Sequence, residues 1–200
     1  MAEISATLVK TLRDATGAGM MECKAALQES GGNLEEATLI LRKRGLAQAG
    51  KKSGRATSEG LVGAYIHMGG KIGVLVELNC ESDFVARTDD FQTLLRELSL
   101  QVAAASPQYV RREDVPADVL DRERSVYRAQ MENSGKPAQV IDKIIEGKLG
   151  SFYEQVCLVD QPSIRDPKQT VGAMIQAAIA KLGENIGVAR FVRFKVGEVS

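Results

Sequence analysis

Two hundred residues, 44% of them hydrophobic, suffice for one medium domain or for a small module joined to a larger core. Basic and acidic residues balance at 26 each, so the chain lacks the electropositive excess of a dedicated nucleic-acid binder, and no direct nucleic-acid partner is expected. No stretch approaches the roughly 18 uninterrupted apolar residues of a membrane span. The N-terminal MAEISATLVK lacks the basic-then-apolar pattern of a secretory signal, and the scattered Cys23, Cys80 and Cys157 suit a reducing compartment. A cytoplasmic protein is expected, with its thiols buried as small hydrophobes.

Leu8, Val9 and Leu12 fall at helical spacing between Ser5 and Ala15, and Thr16-Gly17-Ala18-Gly19 interrupts the pattern. A second helix is predicted from about Met20 to Ser30, ending at Gly31-Gly32. Asn33 with Glu36 three residues on is a capping box for a third, which turns Ala37, Ile40 and Leu41 inward and stops at Gly45. These helices make a small bundle over residues 1–45 that presents a surface. Six basic residues (Arg42, Lys43, Arg44, Lys51, Lys52, Arg55) and no acidic one lie between Thr38 and Arg55, mixed with glycines. Residues 46–58 therefore read as a basic flexible linker; the alternative is an RNA- or ribosome-binding patch over 42–55, although no aromatic is interleaved.

The α+β core is expected over 59–200. Val62, Ala64, Ile66, Met68 and Ile72, Val74, Val76, Leu78, Cys80 are apolar and all even, which specifies one face of a hairpin around Gly69-Gly70. Keeping that face intact calls for a three-residue loop, Met68-Gly69-Gly70, with Gly70 left-handed and His67 on the opposite face. A helix from Asp89 to Ala105 buries Phe91, Leu94, Leu95, Leu98 and Val102. A helical hairpin occupies about 116–150, its first helix running to about Asn133 and its turn being Ser134-Gly135-Lys136-Pro137. A helix with Val171, Ile175 and Ile179 ends at Gly183, and a last strand spans Val188 to Val196. In that strand Val188, Val192, Phe194 and Val196 share a face, with Arg193 and Lys195 on the other. The order of strands predicts a mainly antiparallel three-stranded sheet whose edges need covering, by caps or by another subunit.

No chemistry announces itself. Gly45 to Lys51 fits GxxxxGK but has Lys52 where magnesium needs a hydroxyl, and it follows a helix instead of a strand. Gly17-x-Gly19 has Glu22 in place of a third glycine. With a single histidine there is no zinc-ligand spacing and no nucleophile–base pair, while Glu35-Glu36 and Asp89-Asp90 sit at helix starts, where the dipole favours them. No catalytic residue, cofactor or metal is expected, and no enzyme activity. One segment stands out: after the strand ending at Cys80 comes Glu81-Ser82-Asp83-Phe84-Val85-Ala86-Arg87, with an aromatic beside a carboxylate in a connection. Phe84 is there either the lid of its own core or an anchor for a partner.

At these residues the chain resembles a known family. Leu12-Arg13 with Thr16-Gly17-Ala18-Gly19-Met20-Met21-Glu22-Cys23-Lys24-Ala25-Ala26-Leu27 is similar to the first signature of the elongation factor Ts family. Asn79-Cys80-Glu81-Ser82-Asp83-Phe84-Val85-Ala86 is similar to the second, with Ser82 where Thr is usual. Ser134-Gly135-Lys136-Pro137, Gln161-Pro162 and Thr170-Val171-Gly172 follow in the family's order, so the resemblance covers essentially the whole chain. It implies an N-terminal bundle like the ubiquitin-associated fold, and a guanine-nucleotide exchange factor that releases GDP and Mg2+ from elongation factor Tu. Ser82, Asp83, Phe84 and Val85 would insert into that partner's nucleotide-binding domain. Lys10, Arg13, Met20 and Met21 would touch it from the bundle, although the size of the bundle assigns one of the two methionines to its core. The short form of the chain implies a homodimer.

Overall fold

The computed structural model describes residues 4–132 and 134–198. The described chain gathers into two compact units, one of Met1–Leu61, Leu78–Leu94 and Met174–Gly187, the other of Val62–Glu77, Leu95–Ala173 and Val188–Ser200.

In the first unit, α1 (Ala6–Thr16), α2 (Met20–Glu29) and α3 (Leu34–Lys52) form the expected bundle. Ser5 Oγ caps α1 by accepting from Leu8 N–H at 3.2 Å. Asn33 Oδ1 caps α3 by accepting from Glu35 N–H at 3.0 Å and Glu36 N–H at 3.2 Å. Val9, Leu12, Cys23, Ala26, Leu27, Ala37 and Leu41 are buried together, with Ile4, Leu8, Ala18, Leu34 and Ile40 packed against them. The third helix does not stop at Gly45, so residues expected in a linker over 46–58 are helical as far as Lys52. A mid-helix glycine costs about 1 kcal/mol relative to alanine, but here it permits close approach. A Cβ on Gly45 would stand 3.0 Å from Ala180 Cβ, and Ala49 one turn on is buried. Packing overrides the local signal.

Strands β1 (Glu59–Ile66), β2 (Ile72–Cys80) and β3 (Ile186–Lys195) form one sheet in the order β1-β2-β3, antiparallel as predicted. The hairpin loop differs. His67 N–H donates to Ile72 O at 2.9 Å, and Gly70 N–H to His67 O at 2.9 Å, leaving Met68 to Lys71 as the loop. Gly69 and Gly70 both take positive φ, 88° and 68°, which only glycine adopts without strain. A four-residue loop sets even residues opposite odd ones, so Ile66 lies against Gly73. In β2 the even residues Val74, Val76, Leu78 and Cys80 are buried, as expected. In β1 the inward positions are Gly63 and Tyr65, while Val62 and Ile66 are exposed on the outer face. The last strand also departs from its expected face: Val188 is buried, but Val192, Phe194 and Val196 are exposed, and Val196 lies past the end of β3. Arg193, expected outside, donates from Nε to Ala103 O at 3.3 Å.

Helix α4 (Asp83–Ala86) follows β2, and α5 (Asp89–Ala105) has the predicted bounds and the predicted buried residues. Gly63 lets α5 close onto the sheet, since a Cβ there would stand 2.7 Å from Leu95 Cγ. The helical hairpin is α6 (Ala117–Met131) and α7 (Ala138–Val156), longer than expected at its second helix; Asn133 lies outside the described residues. No residue of α6 is buried, and the two helices are linked by pairs such as Arg128–Asp142 at 2.9 Å. Val115, Val156 and Cys157 form a small core at its base. Helix α8 (Val171–Leu182) ends at Gly183 and leads into β3.

Candidate functional site

The segment singled out in the sequence is a single helical turn. Ser82 has extended backbone and accepts at Oγ from Val85 N–H at 3.5 Å, which starts α4. Val85 and Ala86 turn inward and are 8% and 3% exposed, whereas Phe84 is 80% exposed. The alternation follows from helical geometry: on a turn anchored by residues 85 and 86, residue 84 must point away. Phe84 is therefore not the lid of its own core. Asp83 is exposed and paired with Arg87 one turn on.

The turn is held by its surroundings. Glu184, in the α8–β3 connection, accepts from Glu81 N–H at 3.1 Å, Ser82 N–H at 3.0 Å and Ser82 Oγ at 2.6 Å. Cys80 Sγ donates to Ser82 O at 3.1 Å. Burial, with the Glu184 charge nearby, pushes the Cys80 thiol up from its ordinary range, so it stays protonated and able to donate. Glu81 in turn accepts from Asn185 N–H at 2.6 Å and pairs with Arg55 at 3.5 Å.

On the bundle, Lys10 and Arg13 are exposed one turn apart on α1. Met20 and Met21 are 58% and 73% exposed at the start of α2, so neither belongs to the bundle core; Cys23, Ala26 and Leu27 fill that place. Lys181 links the first signature region to the start of α5. Its stem passes the α1–α2 turn, where a Cβ on Gly17 would stand 3.0 Å from Lys181 Cε, and its Nζ donates to Asp90 Oδ1 at 2.7 Å at the start of α5. Within the basic run, Arg44 pairs with Glu29 and Arg55 with Glu81, which reduces its net field. Sequence reasoning missed Glu184 and Lys181. An acidic residue after a helix-ending glycine and a lysine in a last helical turn are both commonplace, so only the fold distinguishes them.

Among the described residues, no three His, Cys, Asp or Glu side chains are placed to share a metal ion, and no helix is long and apolar enough to cross a membrane. The fold and the clamped turn define an α+β protein that presents an aromatic side chain on a fixed backbone. Comparison with known proteins is specific. The family model described as elongation factor TS matches residues 21–198. A protein of Solibacter usitatus named elongation factor Ts is 57% identical over 198 residues, covering 99% of this chain and 93% of that one. Proteins of the same name from Coprothermobacter proteolyticus and Fervidobacterium nodosum are each 60% identical over 196 residues, covering 98% of this chain and all of theirs. The chain belongs to the elongation factor Ts family and is a translation elongation factor.

Proposed function

We propose that this protein is a guanine-nucleotide exchange factor that acts in the cytoplasm, docks on elongation factor Tu and promotes release of GDP and Mg2+ without chemistry of its own. In this reading Lys10, Arg13, Met20 and Met21 make the docking surface of the bundle, and Ser82, Asp83, Phe84 and Val85 insert into the partner's nucleotide-binding domain. The observation that carries it is the 80% exposure of Phe84 on a turn whose next two residues are buried. A large apolar group held in water by a rigid backbone is favourable only when a partner covers it. Linkage then does the work: a factor that binds the nucleotide-free partner more tightly than the GDP form weakens GDP by the same factor. Burying Phe84 contributes about 2 kcal/mol, a bias of one to two decades. Met20 and Met21 suit an irregular surface because thioethers adapt to it.

The test is the rate of labelled GDP release from elongation factor Tu. Wild-type protein should accelerate release, and Phe84→Ala should lose most of that acceleration. No acceleration by the wild type rejects the exchange reading; unchanged acceleration by folded Phe84→Ala rejects the insertion.

We further propose a homodimer. Val62, Ile66, Leu75, Val192 and Phe194 are exposed on the outer face of the sheet, an apolar surface of the kind a second copy covers.

A further inference from the structure

The turn that carries Phe84 is fixed from a point 102 residues away in sequence. Glu184 gives one oxygen to two consecutive backbone N–H groups and the other to the Ser82 hydroxyl. Together with the Cys80 thiol on Ser82 O, every polar group of Ser82 is engaged. The contact is reciprocal, since Glu81 accepts from Asn185 N–H at 2.6 Å while Asn185 Nδ2 donates to Arg55 O at 2.8 Å. Two adjacent connections thus brace each other through their own carboxylates.

We propose that Glu184 is a positioning residue for nucleotide exchange: it sets the direction in which Asp83 and Phe84 leave the protein, without touching the partner. The inference rests on the insertion reading above. A helix of one turn does not sustain itself, because its nucleus fixes several dihedrals for a single hydrogen bond. Phe84 gains almost no packing from its own chain, so only the backbone orients it. Charge-assisted bonds are about twice as strong as neutral ones, and of the three that Glu184 accepts, two fall on Ser82, the residue that begins the turn, and the third on Glu81 just before it. Without them Phe84 samples many directions, and the partner must order it during insertion. The docking surface on the bundle is untouched by this loss.

The experiment measures release of fluorescent GDP from elongation factor Tu across factor concentrations for wild type, Glu184→Ala, Glu184→Gln, Phe84→Ala and the corresponding double variants. Glu184→Ala should lower the maximal release rate about tenfold, with less than about a twofold change in the half-saturating concentration. Glu184→Gln keeps one accepting oxygen and should recover part of the rate. On the Phe84→Ala background the Glu184 substitutions should slow release far less than in the wild type, because the larger of the two side chains it aims is gone. Should Glu184→Ala fail to fold, Glu184→Gln alone and with Phe84→Ala carries the same comparison. Wild-type maximal rates in folded Glu184 variants, or an effect that multiplies with Phe84→Ala, overturn the positioning role while leaving the insertion reading standing. A Phe84→Ala protein that releases GDP at the wild-type rate overturns both.

Discussion

Arg190 Nε donates to Glu77 Oε2 at 2.7 Å across β3 and β2, and this pair marks the outer face of the sheet. Residues opposite each other on antiparallel strands share a face, so Leu75 with Val192 and Gly73 with Phe194 follow on the same side. Val62 and Ile66 of β1 complete it. One ion pair and a run of apolar side chains therefore face the same way, outward.

That face should bring two copies together. Light scattering at micromolar concentration is expected to give twice the 21.6 kDa chain mass. Phe194→Asp should return a monomer, because a carboxylate buried without a partner is strongly unfavourable. A monomeric wild type rejects the dimer.

Phe84→Ala is expected to leave stability within about 0.5 kcal/mol of wild type, as for other surface substitutions. A core phenylalanine truncated to alanine costs about 3 to 5 kcal/mol, so a denaturant midpoint separates the two outcomes cleanly.

Gly63→Ala should destabilise the fold by about 1 to 3 kcal/mol through overpacking. The added methyl meets Leu95 Cγ at 2.7 Å and Cδ1 at 2.9 Å, and Leu95 is itself buried. Thermal denaturation of the variant gives the cost directly.

Gln101 is buried and donates from Nε2 to Gln161 Oε1 at 3.1 Å and Pro162 O at 3.2 Å, while its Oε1 accepts from Ile164 N–H at 2.9 Å. Gln101→Leu leaves those groups unpaired and should cost about 2 kcal/mol. Equilibrium unfolding in urea measures it.

Burial, with Asp160 adding to it, pushes the Cys157 thiol up to about 11. The folded state therefore keeps a proton that the unfolded chain loses near its ordinary value of about 8.5. Stability from this group is complete below that pH and declines as pH rises toward 11. The wild type should lose more of its melting temperature between about pH 8 and pH 10.5 than Cys157→Ala does.

Much of this architecture is legible in the sequence because the local signals agree with the fold. Asn33 caps a helix, Phe91 to Val102 repeat at helical spacing, and Gly183 ends α8. The hairpin register was not legible, for a physical reason. Parity assigns the apolar side of a strand to the core, but in β1 the apolar Val62 and Ile66 face outward and the inward side carries Gly63 and Tyr65. Hydrophobicity alone does not distinguish a core face from one that another chain covers. Gly45 misleads in the same way, since the close approach to Ala180 that favours glycine lies in tertiary packing. At the site, the local residues single out the segment from Glu81 to Arg87 but leave Phe84 open between lid and anchor, a choice that its 80% exposure decides, and Glu184 becomes visible only when the chain brings it back across 102 positions.

That separation has a consequence for the newly made chain. The buried cluster of the bundle, Val9 to Leu41, is synthesised early, while the brace on Ser82 waits for Glu184. At about 5 to 20 residues per second, the 102 positions from Ser82 to Glu184 take on the order of ten seconds to translate. A chain still on the ribosome thus carries the surface of the bundle before it holds Phe84 in place. On the function proposed above, a prematurely terminated product presents the docking surface of the bundle without an aimed Phe84.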